Sequence, residues 1–142
     1  MMKHFFIFCL ILVSFSSFSQ TIEGIWETYD YETGELESDV KLYIKEGRLY
    51  GKIIKYHNAD ETKKNKKCAL CNDYRKNQTV LGMIFLNGLK PSGKEWTGEE
   101  VLLDPDNGKE YDGKVWLVND DKLALRGYLG WLYQTHYWTR KK

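Results

Sequence analysis

The sequence has few of the residues that most enzyme sites require, and no excess of charge of either sign. It contains three histidines and three cysteines. His57 and His136 lack a nearby serine or cysteine motif of known catalytic mechanics, and turn chemistry explains the acidic residues of Asp104–Gly108. Lys3 is the only formally charged residue before position 20, so the remaining chain has equal numbers of basic and acidic residues. We therefore expect no catalytic residues, and the balanced charge argues against a nucleic-acid partner.

Long apolar runs are also absent, apart from Phe5–Val13 near the start. A helix that spans a bilayer needs roughly 20 apolar residues, so this run is too short. Lys3 precedes the run and small residues follow it before Gln20, which is the pattern of a cleaved signal peptide. We predict a signal peptide over residues 1–19 and a single domain over residues 20–142. The mature protein is then exported, to the periplasm or outside the cell, and has no transmembrane segment.

No window of the sequence shows the apolar spacing of an amphipathic helix, and a period of two prevails. Short alternating segments are separated by turn signals, of which Asp104–Gly108 is the clearest. We predict an all-β fold, an eight-stranded antiparallel up-and-down β-barrel with room inside for side chains or one small ligand. A turn is expected at Leu89–Gly93, and a long loop at His57–Gln78. The predicted strands lie near residues 22–29, 38–45, 49–56, 79–86, 95–103, 111–118, 122–129 and 131–140.

Seven short motifs, in a fixed order along the chain, carry a family resemblance. They are Gly24-Ile25-Trp26, Tyr50-Gly51-Lys52-Ile53, Cys68-Ala69-Leu70-Cys71, Leu81-Gly82-Met83, Leu103-Asp104-Pro105 with Gly108-Lys109 and Tyr111, Leu125-Arg126-Gly127-Tyr128-Leu129-Gly130, and Tyr137-Trp138-Thr139-Arg140. Together they resemble the bacterial exported family catalogued as domain of unknown function 2147, over essentially the whole mature chain. The resemblance implies a lipocalin-like barrel with no established activity. It transfers no catalytic residues, and we expect no cofactor.

Trp26 on the first predicted strand and Arg140 on the last are also similar to a pair found in lipocalins, where the tryptophan packs under the arginine at the closed end of the barrel. The first and last strands become neighbours when a sheet closes, and a guanidinium stacked on an indole is worth roughly 0.5–2 kcal/mol. We interpret Trp26 and Arg140 as a structural closure. Contact with a ligand is the alternative, and a position at the narrow end of the barrel disfavours it.

Cys68 and Cys71 are the two cysteines of the predicted mature chain. In an oxidising compartment their simplest state is a disulfide, which would clip the long loop. A thioredoxin-like redox pair needs a βαβ setting that this pattern lacks, and Asn72 stands where a haem attachment motif needs histidine. Zinc is a further alternative, with His57 and Asp73 as improvised third and fourth ligands. We predict the disulfide and no metal.

Arg126 is the charged residue that is hardest to explain as an ordinary surface side chain, since it lies in the middle of a predicted strand. A period of two puts it on the face opposite Leu123 and Leu125, and periodicity alone leaves open which face is interior. An interior arginine needs an anionic partner, so we hypothesise that Arg126 pairs with the carboxylate of a ligand. The other candidate residues of this ligand site are Tyr111, Tyr128, Trp116 and Trp26.

Two classes of function are therefore in competition. The first is an exported, non-enzymatic barrel that binds a small amphipathic or acidic, lipid-like ligand. The second is a ligand-free structural or interaction module of the cell envelope, whose interior is filled by its own aromatic side chains. A hollow interior would favour the first class, and native mass spectrometry of protein from its own host would then show a co-purifying mass.

Overall fold

A computed structural model describes residues 21–142, which form a closed barrel of eight antiparallel strands. Each strand pairs with the next one along the chain, and the first pairs with the last through Trp26 with Arg140. The predicted signal peptide lies outside the described residues. The elements are β1 (Gly24–Tyr29), β2 (Leu36–Lys45), β3 (Arg48–Tyr56), the short helix α1 (Glu61–Lys64), β4 (Ile84–Ser92), β5 (Glu95–Asp104), β6 (Lys109–Asn119), β7 (Lys122–Leu129) and β8 (Leu132–Arg140).

The predicted eight-stranded antiparallel barrel is confirmed, but the fourth strand is displaced along the chain. β4 covers Ile84–Ser92, whereas the sequence predicts a strand at 79–86 and a turn at 89–93. Pro91 suggests that turn, yet it pairs with Trp96 near the end of β4. The pairing of β4 with β3 ends at Leu89, so Pro91 has an unpaired edge on that side and its missing N–H costs no ladder hydrogen bond.

The strand directions give the barrel two different ends. The β2–β3, β4–β5 and β6–β7 turns lie at one end, beside the start of β1 and the finish of β8. We call this the closed end, because Ile22 and Trp26 are buried there. The other end, which we call the open end, carries the β1–β2, β3–β4, β5–β6 and β7–β8 connections. In the described part of the chain, no helix is long and apolar enough to cross a membrane.

Arg140 holds the closed end together. Its guanidinium lies 4.3 Å from the centroid of the Trp26 ring. The same group donates hydrogen bonds to the backbone carbonyls of Thr21, Glu23 and Asp120, at 2.9, 3.0 and 2.7 Å. The Arg140 side chain therefore connects the segment before β1, the β6–β7 turn and the Trp26 ring at the closed end.

The β3–β4 loop, residues 57–83, packs against the barrel around a small core of its own. Cys68 and Cys71 form the predicted disulfide. The loop approaches the β5–β6 turn so closely that a Cβ on Gly108 would lie 1.9 Å from the carbonyl oxygen of Leu70. Glycine is therefore required at position 108, both for this contact and for its φ of +72°. The buried side chains of this core are Cys68, Cys71, Val80, Met83 and Leu103.

A buried arginine, which the sequence analysis does not single out, ties the same loop to the barrel. Arg75 is 2% exposed. Its Nε and Nη2 both donate to Oδ2 of Asp73, at 3.0 and 2.6 Å. Nη2 also pairs with Glu110 of β6, and Nη1 donates to the carbonyl of Ile84 at 3.0 Å. Although burial opposes its charge, hydrogen bonds to Asp73 and Glu110 raise the pKa of Arg75.

Candidate ligand-binding site

A cavity of about 680 Å³ lies at the open end of the barrel. Alternation along β7 and β8 builds one wall, because Leu125 pairs with His136 and Gly127 pairs with Gln134 on the same face. Leu129 and the residues after the hairpin turn extend this wall to the rim. The apolar side chains that line the cavity are Phe85, Leu102, Leu103, Leu125, Leu129 and Leu132.

The polar side chains of the cavity wall offer a ligand hydrogen-bonding groups, and no lysine or arginine of the described residues is among them. They are Glu37, Asp104, Tyr111, Tyr128, Tyr133, Gln134 and His136. Glu37 accepts from Nζ of Lys63 at 3.1 Å, and the Tyr111 hydroxyl accepts from Nδ2 of Asn107 at 2.9 Å. Burial lowers the pKa of His136 below its usual value, although the charge on Glu37 opposes this. His136 is therefore neutral at neutral pH, with one nitrogen to donate and the other to accept.

The charge of the lining restricts the chemistry of a ligand. Among the described residues, Glu37 and Asp104 are the formally charged ones that line the cavity, and no lysine or arginine lines it. A carboxylate head group would meet like charge there, and Lys63, which does not line the cavity, is already paired with Glu37. A hydroxyl or an amine would find acceptor oxygens instead.

Arg126 lies on the outer face of the barrel and is not among the residues that line this cavity. Its guanidinium packs on the rings of Tyr133 and Trp116, 4.3 and 5.1 Å from their centroids. Its Nε donates to Oγ1 of Thr135 at 2.8 Å. The barrel buries Leu125 on its inner face, and strand alternation therefore turns Arg126 outwards. The cavity lacks the interior guanidinium on which the carboxylate hypothesis depends.

The other hypothesised ligand residues are divided between three places. Trp116 pairs with Ala124 on the same outer face as Arg126. Tyr128 shares that face and also contributes atoms to the cavity wall. Trp26 is buried at the closed end, and Tyr111 lines the cavity. Of the hypothesised set, the structure brings Tyr111 and part of Tyr128 to the cavity.

Gln134 and Glu37 are polar residues of the cavity that the sequence pattern does not predict, and the register of β2 explains this for Glu37. Strict alternation from Ser38 would turn its carboxylate outwards. The β1–β2 register shifts at this point, because Thr28 pairs with Ser38 and Tyr29 pairs with Leu36, which leaves Glu37 without a partner in the ladder. A bulge of this kind redirects a side chain. No residue pattern in the sequence marks its position.

The alternative zinc site is not assembled. Cys68 and Cys71 are bonded to each other, and Nε2 of His57 lies 2.7 Å from Oδ1 of Asp39. Within residues 21–142, no group of three or more histidine, cysteine, aspartate and glutamate side chains is arranged to hold a metal ion.

Replacing His136 by glutamine is expected to make the stability of the protein less sensitive to mild acid. Burial lowers the pKa of His136 in the folded state, below the value of about 6.5 expected for the unfolded chain. The unfolded chain therefore binds the proton more readily, and the free energy of unfolding falls as the pH drops below about 6.5. Urea unfolding between about pH 7.5 and pH 5.5 should show a smaller decline for His136→Gln than for the unmodified protein. An identical decline would contradict the prediction, and His57→Gln, which leaves His136 in place, is the matched control.

Comparison with known proteins gives a fold and a family. The chain is similar to a solved structure described as protein HP1028 from the human pathogen Helicobacter pylori, a member of the lipocalin family, with a TM-score of 0.71 and 21% identity over 87% of this chain and 85% of that one. At this identity the similarity shows the fold, a lipocalin-like barrel. No curated protein sequence matches significantly. A family model described as "Uncharacterized protein conserved in bacteria (DUF2147)" matches residues 24–140, and the chain therefore belongs to this family of bacterial proteins.

Proposed function

We propose that the protein binds a small amphipathic, lipid-like molecule in the cavity at the open end of its barrel, without catalysing a reaction. The cavity carries this proposal, since its wall combines apolar side chains with a few polar groups. Such a wall is typical of sites for small hydrophobic ligands with one polar end. A lipocalin-like fold supports the same function by analogy.

The polar end of the ligand is uncharged or basic in this proposal, rather than acidic. Glu37 and Asp104 supply negative charge at the cavity, of which Lys63 offsets a part through its ion pair with Glu37, and Arg126 is not among the lining residues. Two charges about 6 Å apart interact by about 3 kcal/mol at an effective dielectric constant of about 20, and less when solvent reaches them. Discrimination between an amine and a carboxylate of equal chain length is therefore expected to reach about tenfold in affinity.

We place this function outside the cytoplasm. The disulfide between Cys68 and Cys71 supports this location, because structural disulfides persist in oxidising compartments. The apolar start of the sequence, with its signal-peptide pattern, supports it as well.

The test is competition of ligands of equal chain length against a fluorescent fatty probe. A long-chain amine and alcohol should displace the probe at lower concentration than the corresponding fatty acid. Glu37→Gln should raise the affinity for the acid and lower that for the amine, each by about five- to tenfold, because it removes one of the two carboxylates that line the cavity. Glu35→Gln, an exposed neighbour on the β1–β2 loop, is the matched control and should change neither affinity.

Failure of all three ligands and the probe to bind would leave the barrel without a lipid-like ligand and favour the structural module. Binding of the acid alone, unaffected by Glu37→Gln, would show that the cavity charge does not select the head group. Native mass spectrometry of protein from its own host would then identify any ligand that the series omits.

A further inference from the structure

The turn between β7 and β8 exposes large apolar side chains to solvent. Trp131 is 88% exposed, Leu129 is 66% exposed and Leu132 is 52% exposed. Tyr133, also exposed, completes the segment Leu129–Tyr133, which we call the hairpin tip. A soluble protein rarely groups apolar side chains in this way unless the patch contacts something else.

The turn itself does not require these residues. Gly130 has a φ of +59°, which explains the glycine. A Cβ at Gly130 would meet no atom within 4 Å, so the tip projects into open space. Polar side chains at positions 129, 131 and 132 would form the same turn at lower cost in solvent-exposed apolar area.

The hairpin tip also lies in a stretch without formal charge. Residues 127–139 contain no aspartate, glutamate, lysine or arginine. An uncharged segment that combines tryptophan, tyrosine and leucine is typical of proteins that bind at the boundary between lipid head groups and acyl chains. The aromatic rings place an apolar body in the hydrocarbon and a polar atom near the head groups.

The position of the tip connects it to the cavity. Leu129 and Leu132 belong to the tip and also line the cavity. A neighbouring groove is lined by Leu129 and by Leu70, which is 59% exposed at the turn closed by the disulfide. Two apolar projections that line this groove therefore stand at the open end of the barrel.

We propose that the hairpin tip inserts into the head-group region of a lipid bilayer and brings the cavity opening to the membrane. The proposal rests on the function proposed above, since a lipid-like ligand has its main reservoir in a bilayer. It commits to a membrane rather than a second copy of the chain. A stable interface between two proteins buries roughly 800 Å² on each partner, and a projecting tip of a few side chains offers less than that.

The tip residues carry no formal charge of their own, although the Arg126 guanidinium packs on the Tyr133 ring, and we therefore expect salt to have little effect on the contact. Insertion of Trp131 and Leu132 is driven by apolar burial, so binding to neutral phosphatidylcholine vesicles should persist when salt is raised from about 0.15 M to about 1 M. Contact through the lysines of the β3–β4 loop would instead require anionic lipid and weaken in high salt.

The test is flotation of the purified protein with phosphatidylcholine vesicles, alone or with an added fraction of phosphatidylglycerol. Trp131→Ser combined with Leu132→Ser should reduce the vesicle-bound fraction at least tenfold. The double variant Ile44→Ser with Val118→Ser removes two exposed apolar side chains near the closed end, and it should bind vesicles as the unmodified protein does. Probe titrations without vesicles measure ligand affinity separately, and the double variant of Ile44 and Val118 should leave that affinity unchanged.

Equal flotation of the tip variant and the unmodified protein would overturn the proposal. Binding that needs phosphatidylglycerol and disappears in high salt would overturn it too. A dimer in sedimentation equilibrium that the tip variant abolishes, without any flotation, would identify a second copy as the occupant. Flotation that depends on the tip, with no probe binding, would support the membrane contact and refute the ligand proposal, so the two can fail independently.

Discussion

Replacing Trp26 by alanine is expected to lower the free energy of unfolding by about 3–5 kcal/mol, the usual cost of truncating a fully buried tryptophan. Trp26 is 0% exposed and lies in the main core cluster. Its indole N–H donates to the carbonyl of Ile22 at 2.9 Å, and the Arg140 guanidinium packs on its ring. The variant loses packing, a hydrogen bond and the platform for Arg140 together.

The residues next to Trp26 leave room for the packing of Arg140 at the closed end. Gly24 has a φ of +135°, and a Cβ there would lie 3.1 Å from Nη1 of Arg140. The first glycine of the Gly24-Ile25-Trp26 motif therefore leaves space for the arginine that the tryptophan supports.

Thermal and urea unfolding measure the effect of Trp26→Ala. A loss of this size should lower the melting temperature by about 10–20 °C for a domain of this length. Trp26→Phe keeps most of the apolar volume and should lose clearly less than the alanine variant. Trp131→Ala removes an exposed tryptophan and should leave the melting temperature nearly unchanged, which controls for loss of tryptophan as such. A loss below about 1 kcal/mol for Trp26→Ala would show that the closed end does not depend on this side chain.

Replacing Arg75 by methionine is expected to lower the free energy of unfolding by about 2–4 kcal/mol and to release the β3–β4 loop from the barrel. Removal of one partner from a buried ion pair typically costs about 3–5 kcal/mol. The cost is smaller here because Asp73 and Glu110 are partly exposed and water can solvate them. The carbonyl of Ile84 also loses its guanidinium donor.

Limited proteolysis separates the local effect of Arg75→Met from the global one. The β3–β4 loop contains several lysines, so trypsin should cleave it faster in the variant under conditions where the barrel stays folded. Lys76→Met changes the adjacent, exposed residue and should preserve the stability of the loop. Arg75→Lys should restore only part of the loss, since an ammonium group cannot donate to Asp73, Glu110 and Ile84 with the geometry of a guanidinium. Unchanged stability and cleavage in Arg75→Met would show that the disulfide core alone holds the loop.

The barrel could be predicted because its information is local. Alternation of apolar and polar residues, together with turn signals such as Asp104–Gly108, is repeated in nearly every strand, and each repeat reports the same period. The sequence predicts the fourth strand too early in the chain because Pro91 is typical of a turn. In the structure Pro91 lies within β4, at an edge where this strand no longer pairs with β3 and a proline is tolerated. That edge exists only after β3 and β4 have paired.

The disulfide and the partnership of Trp26 with Arg140 were also within reach of the sequence. Cys68 and Cys71 are the two cysteines of the predicted mature chain, so each has the other as its partner within one molecule. Trp26 and Arg140 lie on the first and last strands, and closure of the sheet is sufficient to make them neighbours.

The candidate site depended on features that no local pattern contains. Which face of β7 points into the barrel depends on the side chains that the whole barrel buries. In the structure the other face carries Arg126, which packs outside with Trp116 and Tyr133. Glu37 enters the cavity through a shift in strand register.

The amino-acid sequence by itself determined the all-β class, the number of strands and the two strands that close the barrel, since each depends on a short-range period or on chain order. It also limited the disulfide partner of Cys68 to Cys71, the other cysteine of the predicted mature chain. Only the tertiary structure decided which face of each strand is interior, where the cavity opens, what charge it carries and how Arg75 anchors the loop. These properties arise from contacts between residues far apart in the chain, and a period of two is the same whichever face points inwards.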